Sequence, residues 1–423
     1  MSTPVRRRTL LVGGAATAAL TLPTVTAQAG DRGSGGRTTF TLNAETLDGG
    51  EQVVALTLNT AGLGPIDPRS LTAATFSVHV KATSPIDVPA TDIYSVYDLD
   101  RTVTAARLDR RGNIVLDLEY AEGVVGGGTL GYIVSLARNV RLDLAYTVTQ
   151  NAPLKLRNGR SLTLSRLVQG KLSNPEVDAF GYAATDDLKY RLFAPRDGRR
   201  HDRRPLIVWL HGGGEGGSLA NDYYDNETTL RANRGALGFA TPEAQRIFDG
   251  AYVVAPQSTS YWLENGDAFA PMIKAVIEAV ARRYPIDRDR IYVVGCSNGG
   301  YMTMKMTVEY PRAFAAAVPI CGVVAPFLTA EPMISDAELK SIRTPSWLVA
   351  SADDDTVPPL ANSVHAHDLI AGSYLSLYDH VIWNGHQFPG HWSWIYVARN
   401  DPSRRGRHIW QWMARQVARG GHR

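Results

Sequence analysis

Two cysteines in 423 residues, Cys296 and Cys321, are too few and too far apart for a disulfide-stapled scaffold or a zinc cluster. Each falls at the end of an expected strand, which leaves open a bridge between them or a pair of small buried thiols. The chain also lacks an excess of charge. Its net +3 is carried by Arg6, Arg7 and Arg8, and without them 41 basic residues face 41 acidic ones. Phosphate backbones and anionic membranes are bound by surplus Lys and Arg, so near-neutrality argues against a nucleic-acid or membrane partner. A small molecule or an uncharged polymer fits better. Internal repeats, heptads and long low-complexity tracts are lacking as well. The apolar run from Leu10 to Leu22 is shorter than the roughly 20 residues that cross a bilayer, and Pro23 ends it, so no stable membrane anchor is expected.

That run reads instead as part of an export signal over residues 1–29: three arginines, the apolar stretch, then Ala27-Gln28-Ala29. Arg7-Arg8-Thr9-Leu10-Leu11 resembles the twin-arginine form of such a signal, which implies a secreted or extracytoplasmic protein. Residues 30–37, rich in Gly, Ser and Arg, read as a flexible lead.

Two rhythms divide the remainder. Over residues 38–170, segments such as Gln52–Leu58, Thr75–Val80, Asn113–Leu118, Arg141–Tyr146 and Ser161–Leu164 alternate apolar with polar, separated by Asp48-Gly49-Gly50, Arg111-Gly112, Gly126-Gly127-Gly128 and Asn158-Gly159. No helix-period segment intervenes, which predicts an all-β, antiparallel sandwich. Over residues 175–420 continuous apolar runs take over: Leu206–Leu210, Ala251–Ala255, Ile291–Gly295, Ala315–Ile320 and Ser346–Ala350. These are strands buried on both faces. With helical stretches such as Met272–Tyr284 between them, they predict an α/β domain: a mostly parallel sheet with helices on both sides.

Gly295-Cys296-Ser297-Asn298-Gly299-Gly300 joins one of these strands to a helix, the context of a nucleophile elbow. Ser297 is then the candidate nucleophile at the carboxyl edge of the sheet. His211-Gly212-Gly213-Gly214 follows an earlier strand and offers the second of two backbone N–H donors for an oxyanion, Gly213, beside that of Asn298. His211 lies upstream of Ser297 and reads as a loop organiser. This fold orders its triad serine, acid, histidine. Among Asp353-Asp354-Asp355, Asp354 is selected as the residue three before Val357. His386 and His391 both follow a glycine in the loop after the expected last strand, Leu377–Trp383, and either serves as base. Trp262, Tyr301 and Trp392 are candidates to line the substrate pocket, or to pack in the core or at the rim.

Pro205–Gly217, Ala255-Pro256-Gln257 with Trp262, the elbow, Tyr310-Pro311, Phe314–Gly322, Asp354-x-x-Val357-Pro358 and Gly390-His391 followed by Trp394 together resemble a known group. It comprises bacterial α/β-hydrolase esterases of the prolyl-oligopeptidase-like type with an N-terminal immunoglobulin-like domain. Members commonly carry a tryptophan three residues after the catalytic histidine. That favours His391, because Pro389 holds that place after His386, and leaves His386 as the alternative base. The resemblance implies hydrolysis of a small or polymeric carboxylic ester through an acyl-enzyme, with no cofactor or metal. A secreted serine peptidase and an extracellular polyester depolymerase are the alternatives.

Overall fold

The computed structural model describes residues 37–195 and 202–418; the expected export signal lies outside the described residues. Among those described, no helix is long and apolar enough to cross a membrane.

The N-terminal part is built from strands. Phe76–Thr83 (FSVHVKAT) buries every second residue, as a period of two dictates when one sheet face meets a core. A five-stranded sheet runs in the order Arg166–Ser173, Arg37–Leu47, Gly50–Leu58, Ile114–Leu118, Val103–Leu108, and a three-stranded one in the order Asp143–Gln150, Phe76–Thr83, Tyr97–Arg101. Side chains of both enter one cluster, including Phe40, Leu56, Phe76, Val80, Leu116 and Tyr146. The pairing departs from the expected antiparallel pattern at one edge: Arg37–Leu47 pairs with Arg166–Ser173 in parallel. The expected strand over Arg141–Tyr146 is broken at Leu142. Its first residue ends the short strand Arg138–Arg141, which forms a hairpin with Leu130–Ile133.

The C-terminal part holds an eight-stranded sheet in the order Phe180–Ala184, Lys189–Phe193, Tyr252–Pro256, Arg204–Leu210, Ile286–Cys296, Ala316–Ile320, Trp347–Ser351, Tyr374–Tyr378. From Tyr252–Pro256 onward all neighbours run parallel. Two separate apolar clusters cover its faces. The helix Gly266–Arg283 buries Ile273, Val276, Ile277 and Val280 at helical spacing, each such side chain contributing about 1.5–3 kcal/mol on removal from water. The expected last strand splits into Tyr374–Tyr378 and Val381–Trp383, because Asp379 and His380 turn the chain out of the sheet.

Charged groups withdrawn from water join the two parts. Glu51 accepts from Asn174 Nδ2 at 2.8 Å and Thr129 Oγ1 at 2.7 Å and pairs with Arg231, which also holds Glu227 at 2.6 Å. Asp48 takes a two-pronged bond from Arg399, both contacts 2.9 Å. Breaking a buried pair from one side strands the other charge, so Glu51→Ala is expected to cost about 3–5 kcal/mol in urea denaturation. A loss below about 1 kcal/mol would show that Glu227 alone satisfies Arg231.

Candidate active site

The strand Ile286–Cys296 ends directly before Ser297, which turns the chain into the helix Asn298–Glu309 with φ 55° and ψ −117°. That left-handed backbone costs on the order of 1–3 kcal/mol for a non-glycine residue and persists only where its surroundings enforce it. Ser297 N–H donates to Ile320 O at 2.8 Å, and glycine is required on both sides: a Cβ on Gly295 or Gly299 would press into backbone carbonyls of Gly299 or Leu210. The elbow is therefore wedged against two neighbouring strands. Asn298 opens the helix with its Oδ1 taken by Leu263 N–H at 2.9 Å; its buried Nδ2 has no partner among the described residues.

His211 ends up in the interior, as a loop organiser. Its Nδ1–H donates to Gly212 O at 2.6 Å while Nε2 accepts from Ser258 N–H at 3.0 Å, which fixes a neutral tautomer. Burial pushes its pKa down to about 3. The Gly212–Gly213 peptide is thereby held still, and with it the Gly213 N–H. Glu215, two residues on, is buried beside Gly212 and its carboxyl is pushed up to about 7 by burial.

The three aspartates separate cleanly. Asp353 holds His380 at 2.8 Å, Asp355 is exposed, and Asp354 is buried, its Oδ1 accepting from Thr356 N–H at 3.0 Å and Val357 N–H at 2.8 Å. Oδ2 of Asp354 meets His391 Nδ1 at 2.9 Å across 37 residues of chain. The His391 ring stands edge-on to Trp394, centroids 5.7 Å apart. It also lies by the thiol of Cys321, whose Sγ is within 4.8 Å of ligand atoms of both Asp354 and His391. Cys321 directly follows Ile320, the partner of Ser297. His386, by contrast, sits in the short strand His386–Phe388, edge-on to Phe388 and facing Gly123 of the N-terminal part.

Of the three aromatics read as lining a pocket or packing in the core or at the rim, two lie in the core. Trp262 is fully buried, with its indole N–H spent on His211 O at 3.2 Å, and Tyr301 is wedged against Gly266 in the core. Both support the site from beneath. Trp392 is half-buried, stacked on Trp394 and close to Gly49 of the N-terminal part. Cys296 and Cys321 are both buried and free. The nearest approach to a metal site among the described residues is Cys321, Asp354 and His391, but there Nδ1 and Oδ2 already bond one another.

Burial works against a charged His391, yet the Cys321 sulfur and the Asp354 carboxylate more than offset it, so its pKa is raised above the ordinary 6.5. A base must be neutral to accept a proton. The acid limb of kcat/KM for ester hydrolysis is therefore expected above pH 6.5, and in Cys321→Ala it should move back toward that value. The same shift makes the charged pair a source of stability that is complete below the unfolded pKa and lost as pH rises through the folded one. A wild-type limb at or below 6.5 would contradict this.

Residues 259–332, which include the elbow, match the model of the prolyl oligopeptidase family. A solved structure described as a thermostable esterase is 25% identical and superposes with a TM-score of 0.71, covering 89% of this chain and 99% of that one. A putative esterase, NocK of Nocardia uniformis subsp. tsuyamanensis, is 29% identical over 31% of this chain and 37% of its own length. Poly(3-hydroxyalkanoate) depolymerase C of Paucimonas lemoignei is 37% identical over 20% of this chain and 23% of its own. The chain thus spans well under half the length of these curated relatives. Taken together, the likenesses support an α/β hydrolase of the esterase kind and mark the chain as an enzyme of the serine-hydrolase type.

Proposed function

We propose that the protein is a secreted carboxylic-ester hydrolase working through Ser297, His391 and Asp354. The observation that carries this reading is the buried Asp354–His391 bond, reached from a strand adjacent but one to the strained serine. Ser297 Oγ attacks the ester carbonyl as His391 takes its proton. Asp354 holds the resulting imidazolium in place, and the N–H groups of Gly213 and Asn298 receive the oxyanion. His391 then returns the proton to the departing alcohol, and water, activated in the same way, releases the acid.

The sheets sharing one core support reading residues 38–170 as an immunoglobulin-like sandwich ahead of a catalytic domain over 175–420. Export rests on residues 1–29, and replacing Arg7 and Arg8 with Lys should block it. A polymeric ester is favoured as substrate by the segment similar to the polyhydroxyalkanoate depolymerase; clearing of a polymer suspension by the purified enzyme tests that. The deciding experiment is a panel of chromogenic esters of graded acyl length beside aminoacyl and dipeptidyl anilides. Esters should turn over faster. Preference for the anilides would replace the esterase with a peptidase.

A further inference from the structure

The hairpin Leu130–Ile133 and Arg138–Arg141 belongs to the N-terminal part, yet it bonds directly to the loop that follows the strand Arg204–Leu210. Arg138 is only 3% exposed. Its Nη1 donates to Gly213 O at 3.0 Å and its Nε to Gly217 O at 3.1 Å, so one planar group spans the glycine-rich loop. The guanidinium carbon sits 3.2 Å from the centroid of the Tyr261 ring, and Tyr261 Oη returns to the hairpin by donating to Leu136 O at 2.8 Å. Tyr261 also flanks Gly213, whose absent Cβ would meet its ring at 3.4 Å. Next to Arg138, Asn139 Nδ2 donates to Glu215 Oε1 at 3.4 Å and fills the space where Gly214 carries no side chain.

A loop with this many glycines has little rigidity of its own. Its own turns bond Gly212 O and Gly213 O only at 3.5 Å, so shorter bonds to those carbonyls from outside it do more to hold its peptide groups in one orientation. His211 does so at Gly212 from the sheet side, and Arg138 does so at Gly213 and Gly217 from the other part of the molecule. We infer that Arg138 is a positioning residue for the oxyanion donor: His211 holds the Gly212–Gly213 peptide that carries the N–H, and Arg138, by holding the carbonyl of the following peptide and that of Gly217, pins Gly213 from its other side so that the N–H keeps its aim, which makes the N-terminal part a working component of the active centre. This rests on the serine-hydrolase reading above. An aimed donor stabilises charge that appears in the transition state and does little for the bound ester, so its loss falls on kcat. Lysine is a poor substitute. A point charge on a flexible stem cannot span two carbonyls and lie flat on a tyrosine at once.

The test uses the full chain with Arg138→Ala, Arg138→Lys and, as a control on the same hairpin, Arg141→Ala, a partly exposed arginine that pairs with Glu227 and makes no bond to the glycine loop. Steady-state kinetics on a soluble ester are combined with inhibition by an alkyl boronic acid, which forms a tetrahedral adduct with the serine, and with circular dichroism for folding. Arg138→Ala should lose about 10²–10³ in kcat, the range for one oxyanion donor, with KM little changed and boronate affinity lowered in parallel. Arg138→Lys should recover less than a tenth of that loss, free guanidinium should partly restore Arg138→Ala, and Arg141→Ala should retain its kcat. A folded Arg138→Lys or Arg138→Ala with wild-type kcat and boronate affinity overturns the inference. An equal fall in kcat for Arg141→Ala would do so too, since it would signal a loosened interface. Should the wild type and Ser297→Ala be equally inert toward esters, the hydrolase reading itself fails, and that outcome is distinct from the other two.

Discussion

Ser297→Ala is expected to remove between about 10⁴ and 10⁶ of kcat on a soluble ester while the protein stays folded. The serine oxygen is the only heavy atom lost, and alanine removes no contact that the elbow needs: the backbone bond from residue 297 to Ile320 O and the glycine packing around it do not involve the side chain. What survives should be the activity of a site that still binds ester and still presents its N–H donors. The measurement is kcat on purified variant with an active-site titration of the wild type to count competent sites. Activity within tenfold of wild type would place the nucleophile elsewhere, and Cys321, beside His391, would be the first group to examine.

His391→Ala should cost nearly as much, and His386→Ala should not. Members of a triad act as a unit, so deleting the base leaves a serine with no route for its proton. His391 is bonded through Nδ1 to a carboxylate that is itself held by two backbone N–H groups, which leaves Nε2 as the proton acceptor. His386 has no bond to Asp354; its ring faces Gly123 and Phe388, where its loss should alter KM or stability. Both variants are compared on one ester, with thermal melts alongside. A dead His386 variant beside an active His391 variant would reverse the assignment.

The parts of the fold that were legible are those where one physical cause acts alone. Leu206–Leu210 and Ile291–Gly295 are apolar throughout because helices cover both faces of their sheet, and Phe76–Thr83 alternates because only one of its faces is covered. Tyr97–Arg101 (YDLDR) alternates over only five residues and buries a charged one, Arg101, while the two alanines and the arginine of Val103–Leu108 (VTAARL) blur its period, so neither reads clearly as a strand. In the candidate site, motif and chain order point to Ser297 and to an aspartate ahead of a histidine, while the choice of His391 over His386 rests on the family resemblance. No such signal points to Arg138. An arginine next to an asparagine in a short hairpin reads as a wetted surface, and what buries it is a loop 75 residues later in the chain. Trp262 stays undecided in sequence for a different reason: a large aromatic near a glycine-rich loop suits a pocket or a core equally well, and its full burial with the indole N–H on His211 O decides for the core.

The joint between the two parts has a consequence for how the molecule behaves in brine. Dissolved ions weaken attractions between wetted charges, but they hardly reach Glu51 and Arg231, which are 0% and 5% exposed, and Asp48 is only 6% exposed beneath Arg399. Raising salt from about 0.01 M to about 1 M, where the screening distance shrinks from roughly 30 Å to 3 Å, should therefore leave the radius of gyration from X-ray scattering unchanged. The described residues would then keep the hairpin against the glycine loop at either salt concentration.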